Sequence, residues 1–224
     1  MADSTFSWTI ETAYGELPIV RDADENGTVV VLAHGAGSHM HHRTLEWLSG
    51  LVGMAGASVV RFNFPYRAKG KSMPDRMPVL SAAYREVIGE VRSKLKPKVL
   101  VVGGHSMGGR VASMVLGEDS IADGLLLFGY PLHPPGQPDK LRDAHLPSIA
   151  VPTLQINGTN DEFCTPALME QVRTRLDPRL WTLEWVEGAD HSYHVKKATG
   201  RSRADVESDI LRALKTWLPS IEPT

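Results

Sequence analysis

Residues 98–110, KVLVVGGHSMGGR, constrain the fold more than any other stretch, because they join a short apolar run to a serine that glycines flank on both sides. The apolar run 99–102 is too short for a buried helix and suits a strand covered on both faces of a parallel sheet. Residues 104–108, GHSMG, form the pattern of a sharp strand-to-helix turn, in which only glycine-sized residues fit two positions either side of the serine. Such a turn lifts the Ser106 hydroxyl clear of the sheet edge.

The glycine-rich turn has two interpretations. In the functional one, the first amides of the following helix, that of Met107 among them, face a developing oxyanion. In the other, the turn has no catalytic role, since a five-residue pattern recurs by chance. The choice between them depends on what the rest of the chain supplies.

Composition excludes several classes of function. The chain has 224 residues, 42% hydrophobic and 22% charged, with a net charge of −2, which fits one α/β domain over residues 1–224 and lacks the basic surplus of a nucleic-acid-binding protein. No apolar run approaches the roughly 20 residues that span a bilayer, so we expect no membrane association. The one cysteine cannot form an intramolecular disulfide, and residues 1–20 lack the features of a signal peptide, so we expect a cytoplasmic protein.

Strand and helix patterns alternate along the chain. Predicted strands cover residues 6–12, 28–33, 57–62, 99–102, 124–128, 151–156 and 180–186, of which the first alternates like an antiparallel edge strand. Predicted helices cover residues 42–54, 80–95, a segment after the glycine-flanked serine, 166–176 and 204–218; residues 22–27 are predicted as a turn, 65–78 as a loop and 130–147 as a proline-rich excursion. The alternation predicts a mostly parallel central sheet with helices on both faces and a ligand crevice at the carboxyl ends of the strands.

Two further motifs supply what a serine nucleophile needs. A serine hydroxyl requires a base to take its proton and a carboxylate to orient that base. Asp161 follows the strand 151–156 and His191 follows the strand 180–186, which gives the chain order serine, acid, histidine. Asp190 and Glu162 remain alternative acids. A solvated turn aspartate and a loop histidine without a role are the non-catalytic alternatives.

The first buried strand ends at a loop that suits an oxyanion hole. Residues 34–37, HGAG, follow the strand 28–33, and their glycines allow the backbone N–H of Ala36, or alternatively that of Gly37, to turn toward the serine oxygen. A second amide opposite Met107 is what a tetrahedral intermediate requires. A tight turn without a ligand is the alternative.

Taken together, the motifs GHSMGG, HGAG, NGTND and GADH resemble those of the α/β-hydrolase superfamily over nearly the whole chain. Residues 61–66, RFNFPY, and 129–136, GYPLHPPG, are similar to a group of small, lidless, dienelactone-hydrolase-like proteins. Dienelactone hydrolases use a cysteine nucleophile where this chain has Ser106, so their substrate is not carried over. The resemblance implies a single-domain hydrolase without a cap domain that cleaves an ester-like bond without cofactor or metal.

We therefore expect a serine hydrolase with the triad Ser106, His191 and Asp161 and the oxyanion donors Ala36 and Met107. A chain of this length leaves no room for a cap, which favours small or short-chain acyl esters as the partner molecules. A thioesterase, a small peptidase or a non-catalytic interaction module on the same scaffold are the alternatives. The sequence leaves the oligomeric state, monomer or homodimer, undecided.

Some other residues have competing interpretations. Five that follow strand ends either line an acyl pocket or simply pack: Phe64, Tyr66, Tyr130, Leu132 and His133. For three histidines an exposed loop is favoured over a metal site: His39, His41 and His42. For three cations a solvated loop is favoured over attraction of an acidic substrate: Arg67, Lys69 and Lys71. Cys164 is interpreted as a packed thiol.

Overall fold

The structure, a computed structural model, describes residues 5–22 and 27–223. The strands are β1 (Thr5–Thr12), β2 (Gly15–Asp22), β3 (Thr28–Ala33), β4 (Ser58–Phe62), β5 (Val99–His105), β6 (Gly124–Phe128), β7 (Thr153–Gly158) and β8 (Trp181–Val186). The helices are α1 (Arg43–Met54), α2 (Pro65–Ala68), α3 (Met77–Leu95), α4 (Met107–Glu118), α5 (Pro166–Arg173) and α6 (Arg203–Trp217). Short 3₁₀ turns lie at Leu146–Ser148, Lys197–Thr199 and Leu218–Ser220.

The strands form one eight-stranded sheet in the order β1-β2-β4-β3-β5-β6-β7-β8. β2 pairs antiparallel with β1 and with β4, whereas β3 to β8 run parallel to one another. Parallel neighbours bring the carboxyl ends of β3, β5, β7 and β8 to the same edge of the sheet. The predicted α/β fold class is confirmed, and the predicted motifs all follow strands that end at that edge.

Helices cover both faces of the sheet, which explains the unbroken apolar runs in the central strands. α3, α4 and α5 pack on one face, while α1 and α6 pack on the other. In β3, Val29 and Val31 belong to the first core and Val30 and Leu32 to the second. Because side chains alternate along a strand, a strand buried on both sides needs apolar residues at every position.

The predicted strands do not include β2, which has a proline in its middle, a residue that is unfavourable inside a sheet. In the structure Pro18 pairs with Thr9 of β1, and its carbonyl accepts a hydrogen bond from the Asn63 N–H at 3.4 Å. Leu17 and Ile19 on either side are fully buried. Burial of these two side chains therefore outweighs the single donor that proline removes. The predicted edge strand over residues 6–12 is confirmed as β1.

The prediction of a loop over residues 65–78 is wrong at both ends, where α2 and the first turn of α3 lie. Both helices carry a proline in their first turn, Pro65 and Pro78, where the missing N–H would have no helical partner in any case. Other boundaries differ from prediction by a few residues. The turn predicted at residues 22–27 falls mostly on residues 23–26, outside the described part of the chain. None of the described helices is both long and apolar enough to cross a bilayer.

Candidate active site

The turn between β5 and α4 forces Ser106 into an unfavourable backbone conformation, with φ 54° and ψ −119°. Glycine is required on both sides. A Cβ on Gly104 would lie 2.3 Å from the carbonyl oxygen of Ala33, and one on Gly108 would lie 2.2 Å from the same oxygen. Steric exclusion by β3 therefore accounts for this part of the pattern, and the strained residue at the turn is the serine.

The structure brings Ser106, His191 and Asp161 into one hydrogen-bonded chain. The Ser106 hydroxyl lies 2.8 Å from Nε2 of His191. Nδ1 of the same ring lies 3.0 and 2.9 Å from the two carboxylate oxygens of Asp161. A carboxylate only accepts, so Nδ1 carries the proton and Nε2 is left to accept the proton of the serine hydroxyl.

Polar groups behind Asp161 hold its carboxylate in place. One oxygen accepts a hydrogen bond from Asn157 Nδ2 at 2.9 Å, and the other accepts one from the Phe163 N–H at 2.9 Å. The side chain is otherwise closed to solvent, with 1% of the residue exposed. Both oxygens therefore have fixed directions before the histidine adds its own hydrogen bond.

The two alternative acids lie elsewhere. The Asp190 carboxylate accepts hydrogen bonds from the backbone N–H groups of Ser192 and His194, each at 2.9 Å, and so closes its own turn. Glu162 is exposed at the surface. Among the three acids that the sequence leaves open, Asp161 is the one that contacts His191.

Two side chains other than Ser106 and Asp161 also contact His191. Nε2 of His105 lies 2.9 Å from the backbone oxygen of His191, and the two rings are 5.1 Å apart. The ring of Phe163 packs edge-on against that of His191, with centroids 4.6 Å apart. Burial lowers the pKa of His105 to about 4, so its ring is neutral at pH 7 and donates its Nε2–H. Neither contact was predicted from the sequence, although His105 lies within the glycine-rich turn.

The loop after β3 is held by a second neutral histidine. Burial lowers the pKa of His34 to about 4. Its Nε2 accepts a hydrogen bond from the Phe64 N–H at 3.2 Å, so Nδ1 donates to the Gly35 oxygen at 2.9 Å. This ring joins the loop that follows β3 to the one that follows β4.

Of the two amides considered as oxyanion donors in this loop, that of Gly37 already donates to the Tyr66 hydroxyl at 3.2 Å. Ala36 is exposed and lines the same cavity as Ser106 and Met107. Among the described residues, no acceptor takes the N–H of Ala36 or that of Met107. These two amides are therefore available to a ligand beside Ser106.

Ser106 lines one cavity and His191 lines another, and Phe163 lines both of them. The first, which we call the Ser106 cavity, has a volume of about 420 Å³. Its lining residues are Ala36, Pro74, Asp75, Met77, Leu80, Ser106, Met107, Arg110, Pro131, Pro135, Arg142 and Phe163. The second, the His191 cavity, has a volume of about 530 Å³, and its lining includes Asn160, Glu162, Asp190, His191, His194 and Lys196.

The five residues predicted as candidates for an acyl pocket lie in the interior instead. His133 is 3% exposed, and the other four are closed to solvent: Phe64, Tyr66, Tyr130 and Leu132. Their position after strand ends is correct, but their side chains turn into the core rather than toward the Ser106 cavity. The cavity is lined by residues further along the same loops and by α3 and α4.

The remaining features differ in part from prediction: Arg67 lies half-buried in α2 rather than in a solvated loop, and His39 and His42 are half-buried rather than exposed. His42 accepts from the Thr44 N–H and caps α1, while His41 pairs with Glu46 at 3.2 Å. Within residues 5–22 and 27–223, no three side chains of the metal-ligating types are grouped closely enough to hold an ion. Lys69 and Lys71 are exposed. Cys164 is fully buried, and burial raises the pKa of its thiol.

The sequence profile of a family described as "alpha/beta hydrolase domain" matches residues 26–219. The chain belongs to this family. The hydrolase also superposes on solved structures along nearly its whole length. A serine hydrolase without a lid from Xanthomonas campestris has a TM-score of 0.75 and 19% identity, with 98% of each chain covered. A dienelactone hydrolase from Anabaena variabilis has a TM-score of 0.75 and 16% identity, also with 98% of each chain covered.

A further similar structure is Est1E from Butyrivibrio proteoclasticus with bound ferulic acid. It has a TM-score of 0.71 and 16% identity, and the match covers 92% of this chain and 95% of that one. At these identities the superpositions establish the fold. The predicted resemblance to lidless, dienelactone-hydrolase-like proteins is confirmed.

Proposed function

We propose that this hydrolase cleaves small carboxyl esters through an acyl-enzyme intermediate. Ser106 is the nucleophile, His191 is first the general base and then the general acid, and Asp161 orients the ring. The observation that carries this proposal is the unbroken hydrogen-bonded chain from Ser106 Oγ through His191 to Asp161. The strained backbone of Ser106 adds support, because such strain persists where the surrounding structure enforces it and is frequent at active sites.

The reaction follows from the proton positions. Nε2 of His191 takes the proton of Ser106 as Oγ attacks the ester carbonyl, and the imidazolium that forms is stabilised by the Asp161 carboxylate. The same Nε2–H then protonates the departing alkoxide, which leaves an acyl group on Oγ. Water enters and loses a proton to His191 as its oxygen attacks the acyl carbon. His191 then returns that proton to Ser106 Oγ as the bond to the acyl group breaks and the acid leaves. No proton has to move to Asp161 at any step.

The amides of Ala36 and Met107 would stabilise the negative charge on the carbonyl oxygen. Both N–H groups lack an acceptor among the described residues, and both line the cavity that contains Ser106. Met107 is the first residue of α4, so the partial positive charge of the helix N-terminus adds to its hydrogen bond. Loss of one such donor typically costs about 2.7–4 kcal/mol of transition-state stabilisation.

A small substrate is favoured by the size of the site. The Ser106 cavity of about 420 Å³ has room for a short acyl chain, and its walls include Pro74, Leu80 and Pro131. The described chain has no domain inserted over it. We therefore expect acetyl and butyryl esters to be cleaved faster than palmitoyl esters.

The test is hydrolysis of p-nitrophenyl acetate, butyrate and palmitate by the wild type and by Ser106→Ala, with fluorophosphonate labelling of both. We expect turnover and labelling of the wild type, and a loss of about 10⁴-fold or more in kcat with no labelling in the variant. Folded wild-type protein that is neither labelled nor active would refute the proposal and favour an interaction module. Matched ester, thioester and amide substrates then decide between esterase, thioesterase and peptidase, the variants of this chemistry that the fold also permits.

A further inference from the structure

Two arginines in the Ser106 cavity lack a side-chain partner in the part of the chain that the structure describes. Arg110 lies in α4 one helical turn after Ser106, and Arg142 lies in the proline-rich excursion between β6 and β7. Both line the cavity that contains the serine. Among the described residues neither guanidinium makes an ion pair within 4.0 Å or a side-chain hydrogen bond.

Arg110 stands apart from other arginines with an unsatisfied buried nitrogen. Its Nε is buried without a hydrogen-bond partner, as are those of Arg67 and Arg201. Arg67, however, donates through Nη1 to the Lys71 oxygen at 3.0 Å, and Arg201 pairs with Asp209 at 2.5 Å. The Arg110 guanidinium has no such compensation from the described residues. Arg110 itself is half-buried, but a buried N–H donor without a partner is costly, so the buried Nε beside the cavity points to a ligand that supplies the acceptor.

Arg142 is held in position by the core rather than carried on a free loop. Its N–H donates to the Leu132 oxygen at 2.7 Å, and its own carbonyl accepts from the Tyr130 hydroxyl at 2.6 Å. The next residue, Asp143, forms an ion pair with Arg175 of the segment after α5. These contacts fix the backbone from which the guanidinium extends into the cavity.

The two cations are close enough to affect one another. Burial and then the charge of Arg110 lower the pKa of Arg142. Asp75 is the one acidic residue among those that line this cavity, and it is not within ion-pair distance of either guanidinium. Two positive charges brought together in a partly apolar cleft repel each other unless an anion lies between them.

The direction of the reaction decides which half of the ester would carry that anion. The leaving oxygen must lie next to Nε2 of His191, and His191 lines the His191 cavity but not the Ser106 cavity, so we assign the alcohol to the His191 cavity. The acyl chain then points the other way, into the Ser106 cavity with its apolar walls and two arginines. Phe163, which lines both cavities, separates the two halves.

We propose that Arg110 and Arg142 form a carboxylate subsite for the acyl half of the substrate, so that the preferred substrates are monoesters of dicarboxylic acids. This inference rests on the proposed function and narrows its substrate class. The apolar walls contact the methylene segment, and the planar guanidinium groups bind the far carboxylate through paired N–H···O hydrogen bonds. The two arginines recognise the charge and geometry at the far end of the acyl chain, so this subsite does not select for a particular alcohol.

The experiment compares monoethyl adipate with ethyl hexanoate, which have the same leaving group and acyl backbone length and differ in the terminal carboxylate. Hydrolysis is followed by pH-stat. For the wild type we expect kcat/KM to be about 10-fold or more higher for monoethyl adipate, as expected for charge-assisted hydrogen bonds. In Arg110→Met, Arg142→Met and the double variant this ratio falls toward one. The matched control Arg212→Met, an exposed arginine of α6, keeps the wild-type ratio.

A binding measurement separates failure of the subsite from failure of the chemistry. Calorimetry on the Ser106→Ala protein should give a lower Kd for monoethyl adipate than for ethyl hexanoate. This difference in Kd should be lost when the same protein also carries Arg110→Met and Arg142→Met. Binding of this kind upholds the subsite even if the wild type hydrolyses neither ester, which would refute only the proposed function. Hydrolysis of both esters at equal kcat/KM, or equal binding of both by Ser106→Ala, would overturn the subsite and leave the proposed function standing.

Discussion

The nucleophile turn and the acid–histidine loops hold their residues in different ways. At the turn, Gly104 and Gly108 press against the backbone of β3, and close packing fixes Ser106. In the loops after β7 and β8, hydrogen bonds from Asn157 and from the Phe163 N–H hold Asp161, and Asp161 in turn holds His191. Steric exclusion thus fixes the nucleophile turn, whereas hydrogen bonds fix the acid and histidine loops. Substitutions in the first half should affect folding, and those in the second should affect chemistry.

Among substitutions in the acid and histidine loops, Asp161→Asn should have the largest effect on activity. The amide Oδ1 would still accept a hydrogen bond from the Phe163 N–H. The amide Nδ2, however, is a donor, so Nδ1 of His191 would have to accept its hydrogen bond and the proton of the ring would move to Nε2. Nε2 would then carry a proton and could not accept that of Ser106. We expect kcat/KM to fall by about 10⁴-fold while the fold is retained. The measurement is p-nitrophenyl butyrate hydrolysis together with circular dichroism.

The matched control is Asp190→Asn, next to the histidine in sequence. Its Oδ1 can still accept from the Ser192 and His194 N–H groups. We expect activity within about 10-fold of the wild type, since neutral hydrogen bonds replace charge-assisted ones in an exposed turn. Equal losses in the two variants would contradict the assignment of Asp161.

Gly108→Ala should have the largest effect on stability. The new Cβ would lie 2.2 Å from the Ala33 oxygen and 2.5 Å from its carbonyl carbon, and neither backbone atom can move without displacing β3. We expect the free energy of unfolding to fall by about 3 kcal/mol or more, or the protein not to fold. Urea denaturation followed by fluorescence measures this change.

Gly50→Ala provides the comparison within the same residue type. Gly50 lies in α1 and has no described atom within 4 Å of an added Cβ. There the substitution should raise the free energy of unfolding by up to about 1 kcal/mol, through a better helix propensity. A Gly108→Ala protein as stable as Gly50→Ala would show that the turn is not fixed by close packing.

His105 connects the two halves, because it lies in the turn and donates to the His191 oxygen at 2.9 Å. In His105→Gln, the side-chain amide can replace this donor, whereas in His105→Phe nothing can. We expect kcat to fall by about 10-fold in His105→Phe and to be largely restored in His105→Gln, which corresponds to one hydrogen bond of ordinary strength. Equal losses of kcat in the two variants would show that His105 acts only through packing.

The same residue gives a pH dependence with a definite sign. The pKa of His105 is about 4 in the folded protein, against 6.5 for a free histidine side chain, so the unfolded chain binds more protons between these limits. Stability therefore falls as the pH drops from 6.5 to 4 and does not depend on this group above 6.5. In His105→Gln, the slope of the free energy of unfolding against pH should be smaller between pH 4 and 6.5, by up to about 1.4 kcal/mol per pH unit. Urea denaturation at pH 5 and pH 7 measures the difference.

Features that depend on backbone sterics were predictable from the sequence. The GHSMG pattern predicts the turn because few arrangements other than a strand meeting a helix require glycine at both positions. The unbroken apolar runs of β3 and β6 predict central strands, and their observed bounds agree with prediction. β2 was not predictable in the same way. Pro18 is locally unfavourable in a strand, and the burial of its neighbours that outweighs this preference depends on the whole sheet.

Features that depend on side-chain direction were not predictable. Tyr66 and Tyr130 follow strand ends as expected, but only the structure shows that their rings turn into the core. Arg110 has a signal in the sequence, because a residue four positions after the serine lies on the adjacent turn of α4. Arg142 has no such signal. Its place depends on the path of an 18-residue proline-rich excursion, 130–147, that no periodicity describes.

The shared wall of Phe163 has a consequence for the order of events in the proposed reaction. In the proposed reaction, the acyl group would occupy the Ser106 cavity after the alcohol departs, and the His191 cavity would be left open. Water must therefore approach through the compartment that the alcohol has just left, and any other small alcohol present can take the same route. If both proposals hold, a small alcohol that enters the His191 cavity should compete with water for the acyl group, and transesterification should accompany hydrolysis.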